Sequence, residues 1–138
     1  MPFARRIIID TGILVSAAIR PESIPALALQ KAFLTFEVCI SDETFKELET
    51  VLMRPKFDRY AAAAQRTEFL FGFQRHATHI QVQEQVTDCM DPKDNKFLAL
   101  AEAAGAELII ANDPHLTDLH PWRGIPIMPP AAFLVGIN

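Results

Sequence analysis

Residues 7–9, near the start of the chain, are three consecutive isoleucines with no polar residue between them. A strand with one face in water alternates apolar and polar residues, whereas a strand covered on both faces is apolar throughout. The run therefore predicts an inner strand of a mainly parallel sheet with helices on both sides. Asp10 follows directly and closes the strand.

Further short apolar segments recur along the chain and alternate with helical patterns. Segments with the composition of strands are residues 36–40, 107–111 and 125–128, and residues 80–86 alternate like a brief strand or an extended segment. Segments with helical spacing of apolar residues are 21–36, 42–53 and 59–77. The pattern predicts an α/β fold with a mainly parallel central sheet flanked by helices.

The whole chain, residues 1–138, is expected to form one domain. Half of its residues are hydrophobic, which is enough for one substantial core at this length. No internal repeat, low-complexity tract or linker rich in glycine and serine divides it.

Asp91 and Asp94 lie at the predicted start of a helix that runs to Ala104. Aspartate is a good N-cap, and Pro92 suits the first helical position. The Asp91 side chain is then occupied by backbone N–H groups, whereas Asp94 in the first turn keeps its side chain free. Gly105 is a plausible end for this helix.

Composition restricts the possible environment and partners. The net charge of −4 argues against nucleic-acid binding driven by bulk positive charge, so any such contact must use local charge. Cys39 and Cys89 lack the spacing of a zinc site or a disulfide framework. No stretch has the length of a signal or membrane segment, and we expect a cytoplasmic protein.

Two carboxylates follow predicted strands directly, Asp10 after residues 7–9 and Asp113 after residues 107–111. In an open parallel sheet, ligands bind outside the carboxyl ends of the strands. Glu47, on the helix after the second strand, and Asp94 can converge on the same end. We therefore expect four acids in one pocket.

A cluster of like charges persists only if cations compensate it, because the carboxylates otherwise raise one another's pKa values. Oxygen ligands alone favour Mg²⁺ or Mn²⁺. Such a metal centre can activate water and neutralise charge on a phosphate. Phosphodiester hydrolysis fits these residues.

Four sequence blocks together resemble the PIN domain family, and more closely its VapC-like, toxin-type branch. The resemblance covers nearly the whole chain. The blocks are IIIDT at 7–11, ELETVLMRPKF at 47–57, DPKDNKFLALA at 91–101 and LIIAND at 108–113.

The resemblance implies a Mg²⁺- or Mn²⁺-dependent ribonuclease whose catalytic and metal-binding acids fall on Asp10, Glu47, Asp94 and Asp113. It also implies the toxin of a toxin–antitoxin system, with RNA as substrate and a small antitoxin protein as partner. A homodimer is expected both from the family and from the apolar content. No membrane association is expected.

Two positions depart from the family pattern. Gly12 stands where the family usually has Asn, and Ala111 stands where it often has Ser or Thr. These small polar groups commonly help to orient the acids or water. A catalytically degenerate module that binds RNA or metal without cleaving is therefore the alternative function.

Arg54 and Lys56, near the end of the Glu47 helix, are the candidate contacts to RNA phosphates. The four histidines lack a metal-binding spacing and were not assigned to the site. A more remote alternative comes from Asp10-Thr11-Gly12, which also looks like the signature of a dimeric aspartic protease. That fold is dominated by β-strands, whereas this sequence predicts at least three helices.

Overall fold

A five-stranded parallel sheet organises the computed structural model, which describes residues 5–136. The strands are β1 (Arg6–Ile9), β2 (Glu37–Ile40), β3 (Thr78–His79), β4 (Leu108–Ile110) and β5 (Ile127–Met128). Their spatial order is β3-β2-β1-β4-β5, and each neighbouring pair is parallel. The predicted α/β fold with a parallel sheet flanked by helices is confirmed, and β1 is its central strand.

Helices connect the strands and cover the sheet. They are α1 (Thr11–Ile19), α2 (Ile24–Thr35), α3 (Asp42–Leu52), α4 (Ala63–His76), α5 (Asn95–Ala104), α6 (Pro114–Thr117) and α7 (Pro130–Gly136), with 3-10 turns at Pro55–Phe57 and Pro92–Asp94. Serine is a favoured N-cap residue, and Ser41 caps α3 by accepting the N–H of Thr44 at 3.2 Å. Gly105 ends α5 in the left-handed conformation, with φ at 63°.

The unbroken apolar run of β1 is explained by two hydrophobic clusters on opposite faces of the sheet. Ile7 and Ile9 belong to one cluster, together with side chains from α1, α2, α3 and α4. Ile8 belongs to the other, which is built mainly on α5. Successive side chains of a strand point to opposite faces, so each of the three isoleucines has a core to enter.

Two parts of the chain differ from the sequence prediction. Helix α1 was not predicted, because it is buried on most of its surface and therefore lacks the polar positions that reveal helical spacing. Residues 80–86, expected to be a brief strand or an extended segment, have no regular secondary structure, and the strand β3 lies just before them. Ile80 continues the pairing by one hydrogen bond, from its N–H to the carbonyl of Ile40 at 2.8 Å.

Helices α1 and α2 are both largely apolar. Among residues 5–136, no single helix has the length and composition to cross a membrane. Helices α1 and α2 reach that length only together, and they are bent by 108° at the turn between them.

Arg66 on α4 is a fully buried cation that joins three backbone segments. Its guanidinium donates to the carbonyls of Leu52 at 2.8 Å, Arg54 at 3.2 Å and Ala61 at 3.0 Å, and it pairs with the Asp58 carboxylate. The side chain is 1% exposed. Because a guanidinium carries five donors in a planar fork, it can serve several carbonyls at once. Arg66 thereby fastens α4 to the end of α3.

Replacement of Arg66 by Met should destabilise the protein, because the carbonyls of Leu52 and Arg54 lose their buried donor. We expect a loss of about 2–4 kcal/mol in the free energy of unfolding, measured by urea denaturation. Arg66→Lys should recover only part of this loss, since an ammonium cannot span the same acceptors. The exposed Arg59 provides the control, and an equal loss in Arg59→Met would contradict the assignment.

Candidate metal centre

The four predicted acids line one cavity at the carboxyl end of the central strands. This cavity, the acid pocket, has a volume of about 190 Å³. It is lined by Asp10, Thr11, Gly12, Glu47, Asp94, Phe97, Asn112 and Asp113. The acids come from four different places in the chain, so the sheet and its helices bring them together.

Asp10 is the most buried of the four acids, at 6% exposure. It follows β1 and serves as the N-cap of α1, with Oδ1 accepting the N–H of Ile13 at 3.0 Å. Its Oδ2 accepts the N–H of Asn112 at 3.3 Å. Both partners are neutral backbone groups, so the Asp10 carboxylate is oriented without being neutralised.

Burial is the main reason that the pKa of Asp10 rises to about 6. The two N–H groups lower the pKa, and the nearby charges of Asp113 and Glu47 add to the rise. The acid pocket therefore opposes ionisation of this carboxyl group, as expected of a site that holds negative charge for a cation.

Glu47 projects from α3 and has a donor on each oxygen. Thr11 Oγ1 donates to Oε2, and Lys96 Nζ donates to Oε1 at 2.8 Å. Lys96 is thus a cation of the protein itself that contacts one acid of the acid pocket.

Asp94 lies in the 3-10 turn before α5 and contributes an unpartnered atom. Its Oδ2 is buried with no hydrogen-bond partner. Burial first, then a hydrogen bond with Asp113 and the charges of Asp113, Asp91 and Glu47, raise the pKa of Asp94 to about 7. A buried acceptor without a donor is costly unless a cation satisfies it.

Asp113 follows β4 and caps the short helix α6 by accepting the N–H of His115 at 2.9 Å. Burial tends to raise the pKa of Asp113, but the hydrogen bond with Asp94, the His115 N–H and the His115 charge lower it below its ordinary value. The hydrogen bond between Asp94 and Asp113 thus acts in opposite directions on the two acids, raising the pKa of Asp94 and lowering that of Asp113.

The turn at Asp91 has the local structure expected from the sequence. Asp91 Oδ1 accepts the N–H of Lys93 at 3.1 Å and caps the 3-10 turn, while the Asp94 side chain makes no cap. The α-helix itself begins one turn later than predicted, at Asn95.

The structure leaves the two basic candidates apart from the acids. Arg54 and Lys56 are exposed beyond the end of α3, and neither lines the acid pocket. The Lys56 ammonium lies 5.1 Å from the centroid of the Phe57 ring.

Four residues near the acids were missed by the sequence analysis: Thr11, Lys96, Asn112 and His115. Thr11 and Asn112 adjoin predicted acids in the sequence, which is the only local signal for them. One ring nitrogen of His115 and one oxygen each of Asp91 and Asp94 lie within 4.8 Å of one another. Histidine spacing along the chain gave no sign of this approach.

The acid pocket fits a divalent cation by its chemistry. All four charged groups offer oxygen, which suits Mg²⁺ and Mn²⁺. The buried, unpartnered Asp94 Oδ2 is an acceptor that such an ion would satisfy. Of the two departures from the family pattern, Gly12 lines the acid pocket, whereas Ala111 is buried in the hydrophobic cluster on α5.

A family model described as the PIN domain matches residues 6–115. The chain belongs to the PIN domain family, and this membership supports a nuclease. An uncharacterized protein of Methanocaldococcus jannaschii is similar to it, with 31% identity over 119 residues, which cover 83% of this chain and 74% of the relative.

Solved structures with low sequence identity share the fold. VapBC2 from Rickettsia felis, bound to a DNA fragment from their promoter, has a TM-score of 0.60 at 14% identity and covers 88% of this chain and 96% of that chain. PAE2754 from Pyrobaculum aerophilum has a TM-score of 0.62 at 13% identity, with coverages of 94% and 88%. VapC20 of Mycobacterium tuberculosis, described as a Sarcin-Ricin loop cleaving toxin, has a TM-score of 0.51 at 12% identity, with coverages of 78% and 90%.

The raised pKa values of Asp10 and Asp94 predict how pH affects the stability of the metal-free protein. Because the folded state binds these protons more tightly than the unfolded chain, their stabilising effect is complete below about pH 4. It is lost as pH rises through about 6 for Asp10 and about 7 for Asp94.

Asp94→Asn removes one of these titrations. In chelator at about pH 8, we expect its Tm to exceed that of the wild type by roughly a few degrees. Saturating Mn²⁺ should raise the Tm of the wild type and leave that of Asp94→Asn almost unchanged. Asp91→Asn is the matched control and should behave like the wild type. A lower Tm for Asp94→Asn than for the wild type in chelator would contradict the inference that the ionised Asp94 carboxylate destabilises the metal-free protein.

Proposed function

We propose that this protein is a Mg²⁺- or Mn²⁺-dependent endoribonuclease that hydrolyses RNA phosphodiester bonds at the acid pocket. The observation that carries the proposal is the convergence of Asp10, Glu47, Asp94 and Asp113 on one cavity, with a buried and unpartnered oxygen on Asp94. PIN family membership supports the nuclease class, and the metal, the RNA substrate and the four site residues are part of the proposal.

In this mechanism the acid pocket would hold the ion, and the protein fixes the positions of the acids that line it. A divalent ion held by carboxylates supplies activation of water and charge neutralisation at the phosphate. Asp10 is oriented by the N–H groups of Ile13 and Asn112. Asp94 and Asp113 lie close enough to shift each other's pKa, upwards for Asp94 and downwards for Asp113.

The same pocket argues against the remote alternative of an aspartic protease. A parallel sheet flanked by helices is unlike a fold dominated by β-strands, and Asp10 lies among three further acids. The alternative that remains is a degenerate module that binds RNA or metal, and Gly12 on the wall of the acid pocket is the observation in its favour.

A protein partner is supported by an apolar groove between α2 and α4. The groove has a volume of about 580 Å³ and is lined by Leu29, Gln30, Phe33, Leu34, Phe69, Gly72, Phe73 and His76. Leu34 beside it is 86% exposed. Apolar surface of this kind favours a protein contact. We propose that the chain is the toxin of a toxin–antitoxin pair and that a segment of the antitoxin occupies the groove.

We expect a cytoplasmic location and a single domain over residues 1–138. We also propose that Arg54 and Lys56 contact RNA phosphates. Their exposure leaves them accessible to phosphates, although they lie outside the acid pocket.

We expect the purified protein to cleave single-stranded or structured RNA in Mn²⁺ or Mg²⁺ and to lose this activity in excess chelator. Asp10→Asn and Asp94→Asn should each reduce the rate by about 100-fold or more, because even outer-sphere partners of a metal contribute about 10–100-fold. The assay follows end-labelled RNA on a denaturing gel.

The control for the cleavage assay is Asp91→Asn, which keeps the cap and should retain most activity. An inactive Asp91→Asn beside an active Asp94→Asn would overturn the site assignment. RNA or Mn²⁺ binding without any cleavage would identify the degenerate module instead.

The protein alone should form a homodimer at high concentration, since an isolated chain with exposed apolar side chains such as Leu34 and Phe71 gains stability by covering them. Light scattering coupled to size-exclusion chromatography measures the mass directly. A strict monomer at the highest soluble concentration would contradict this expectation.

A further inference from the structure

The Lys96 ammonium is fixed by three contacts, one of which is to Glu47 of the acid pocket. Nζ donates to Glu47 Oε1 at 2.8 Å and to the backbone carbonyl of Lys93, and it lies 5.7 Å from the centroid of the Phe97 ring. The side chains of Lys96 and Glu47 are only 16% and 24% exposed. The Lys96 ammonium is therefore held in place against the Glu47 carboxylate.

Glu47 differs from the other acids in what compensates it. Its Oε1 faces a full positive charge, and its Oε2 accepts the hydroxyl of Thr11. Asp10, by contrast, accepts only neutral backbone N–H groups. Asp94 keeps one buried oxygen with no partner at all. Asp113 Oδ1 accepts the N–H of His115 at 2.9 Å and lies 3.4 Å from a His115 ring nitrogen. Among residues 5–136, Glu47 is thus the one of the four acids that is paired with a lysine or arginine, which leaves Asp10, Asp94 and Asp113 for a divalent cation.

A second divalent ion in the acid pocket would be repelled by the Lys96 ammonium. Paired catalytic ions stand roughly 4 Å apart and share the surrounding carboxylates. In the acid pocket, Glu47 is the carboxylate left for a second ion, and the ammonium already lies on it. Like charges repel strongly at such distances when they are shielded from solvent.

We propose that Lys96 takes the place of a second metal ion, so that the acid pocket binds one divalent cation, against Asp10, Asp94 and Asp113. Glu47 remains paired with Lys96 and acts by positioning its ammonium. This inference rests on the proposed metal-dependent nuclease function and assigns the number of ions it uses.

The same ammonium is available to the substrate. Of the three N–H donors on Lys96, two have acceptors among residues 5–136, which leaves one for a phosphate oxygen. Lys96 also lines a neighbouring polar cavity of about 820 Å³, together with Lys93 and the segment 79–87. An RNA strand that lies along this cavity would reach the Lys96 ammonium.

The test is the number of Mn²⁺ ions bound per chain, measured by isothermal titration calorimetry and by the electron paramagnetic resonance of free Mn²⁺. We expect one ion for the wild-type protein and one for Lys96→Arg, which keeps the charge. Lys96→Met leaves Glu47 uncompensated and should bind a second ion. Lys93→Met is the matched control, because Lys93 is exposed, and it should bind one.

A double variant distinguishes an effect of charge on metal binding from an effect on folding. Glu47→Gln combined with Lys96→Met removes both members of the pair and should bind one ion again. A merely structural role for Lys96 would not produce this return. Far-ultraviolet circular dichroism of each metal-free variant verifies its folded state. The wild-type stoichiometry can overturn the inference even if Lys96→Met fails to fold.

Two ions on the wild type, or one ion on a folded Lys96→Met, would overturn the inference. If the wild type binds two ions and cleaves RNA, the proposed function stands and the role of Lys96 fails. If it binds one ion but cleaves no RNA, the ribonuclease function fails while the stoichiometry is as inferred. A wild type that binds no Mn²⁺ would overturn both.

Discussion

The burial of the Asp10 carboxylate is the constraint on which the structure depends. Strand β1 has a hydrophobic cluster on each face, so the strand ends inside the protein and Asp10, the next residue, is buried. The Asp10 N–H donates to the carbonyl of Ile110 at 3.0 Å, and its carboxylate accepts from Ile13 and Asn112. One residue thus joins the central strand, the first helix and the segment after β4. The contacts that orient the fold at this point also set one wall of the acid pocket.

The acid pocket works against the stability of the fold that builds it. The pKa values of Asp10 and Asp94 are raised chiefly because the protein desolvates both groups, and the charges of neighbouring acids raise them further. Such clusters of unfavourable charge are tolerated where surrounding structure holds them in place. Here the two hydrophobic clusters and the buried Arg66 network provide that structure. The Lys96–Glu47 pair relieves part of the repulsion from within.

The features that the sequence could predict are those with short-range patterns. The run at β1, the cap at Ser41 and the turn at Asp91 each follow from a few neighbouring residues. Helix α1 escaped prediction because a helix buried on most sides has no polar stripe, and β3 is only two residues long.

The residues of the site also divide into those that the sequence predicts and those whose contacts depend on the tertiary structure. Two of its acids were expected from strand ends, and the other two came mainly from the family resemblance. The Lys96–Glu47 pair joins residues 49 positions apart, and the approach of His115 to Asp91 and Asp94 depends on tertiary placement. No periodicity in a single sequence encodes such contacts.

The brevity of the outer strands has a consequence for how the protein behaves in a crowded solution. The sheet order places β3 and β5 at the two edges, and each contains two residues. A long exposed edge presents a row of free backbone groups that can template a strand from another molecule. Here the inner, strongly apolar strands are enclosed by edges too short for that pairing. The chain can therefore build its core from isoleucine-rich strands without offering a surface for edge-to-edge fibre growth.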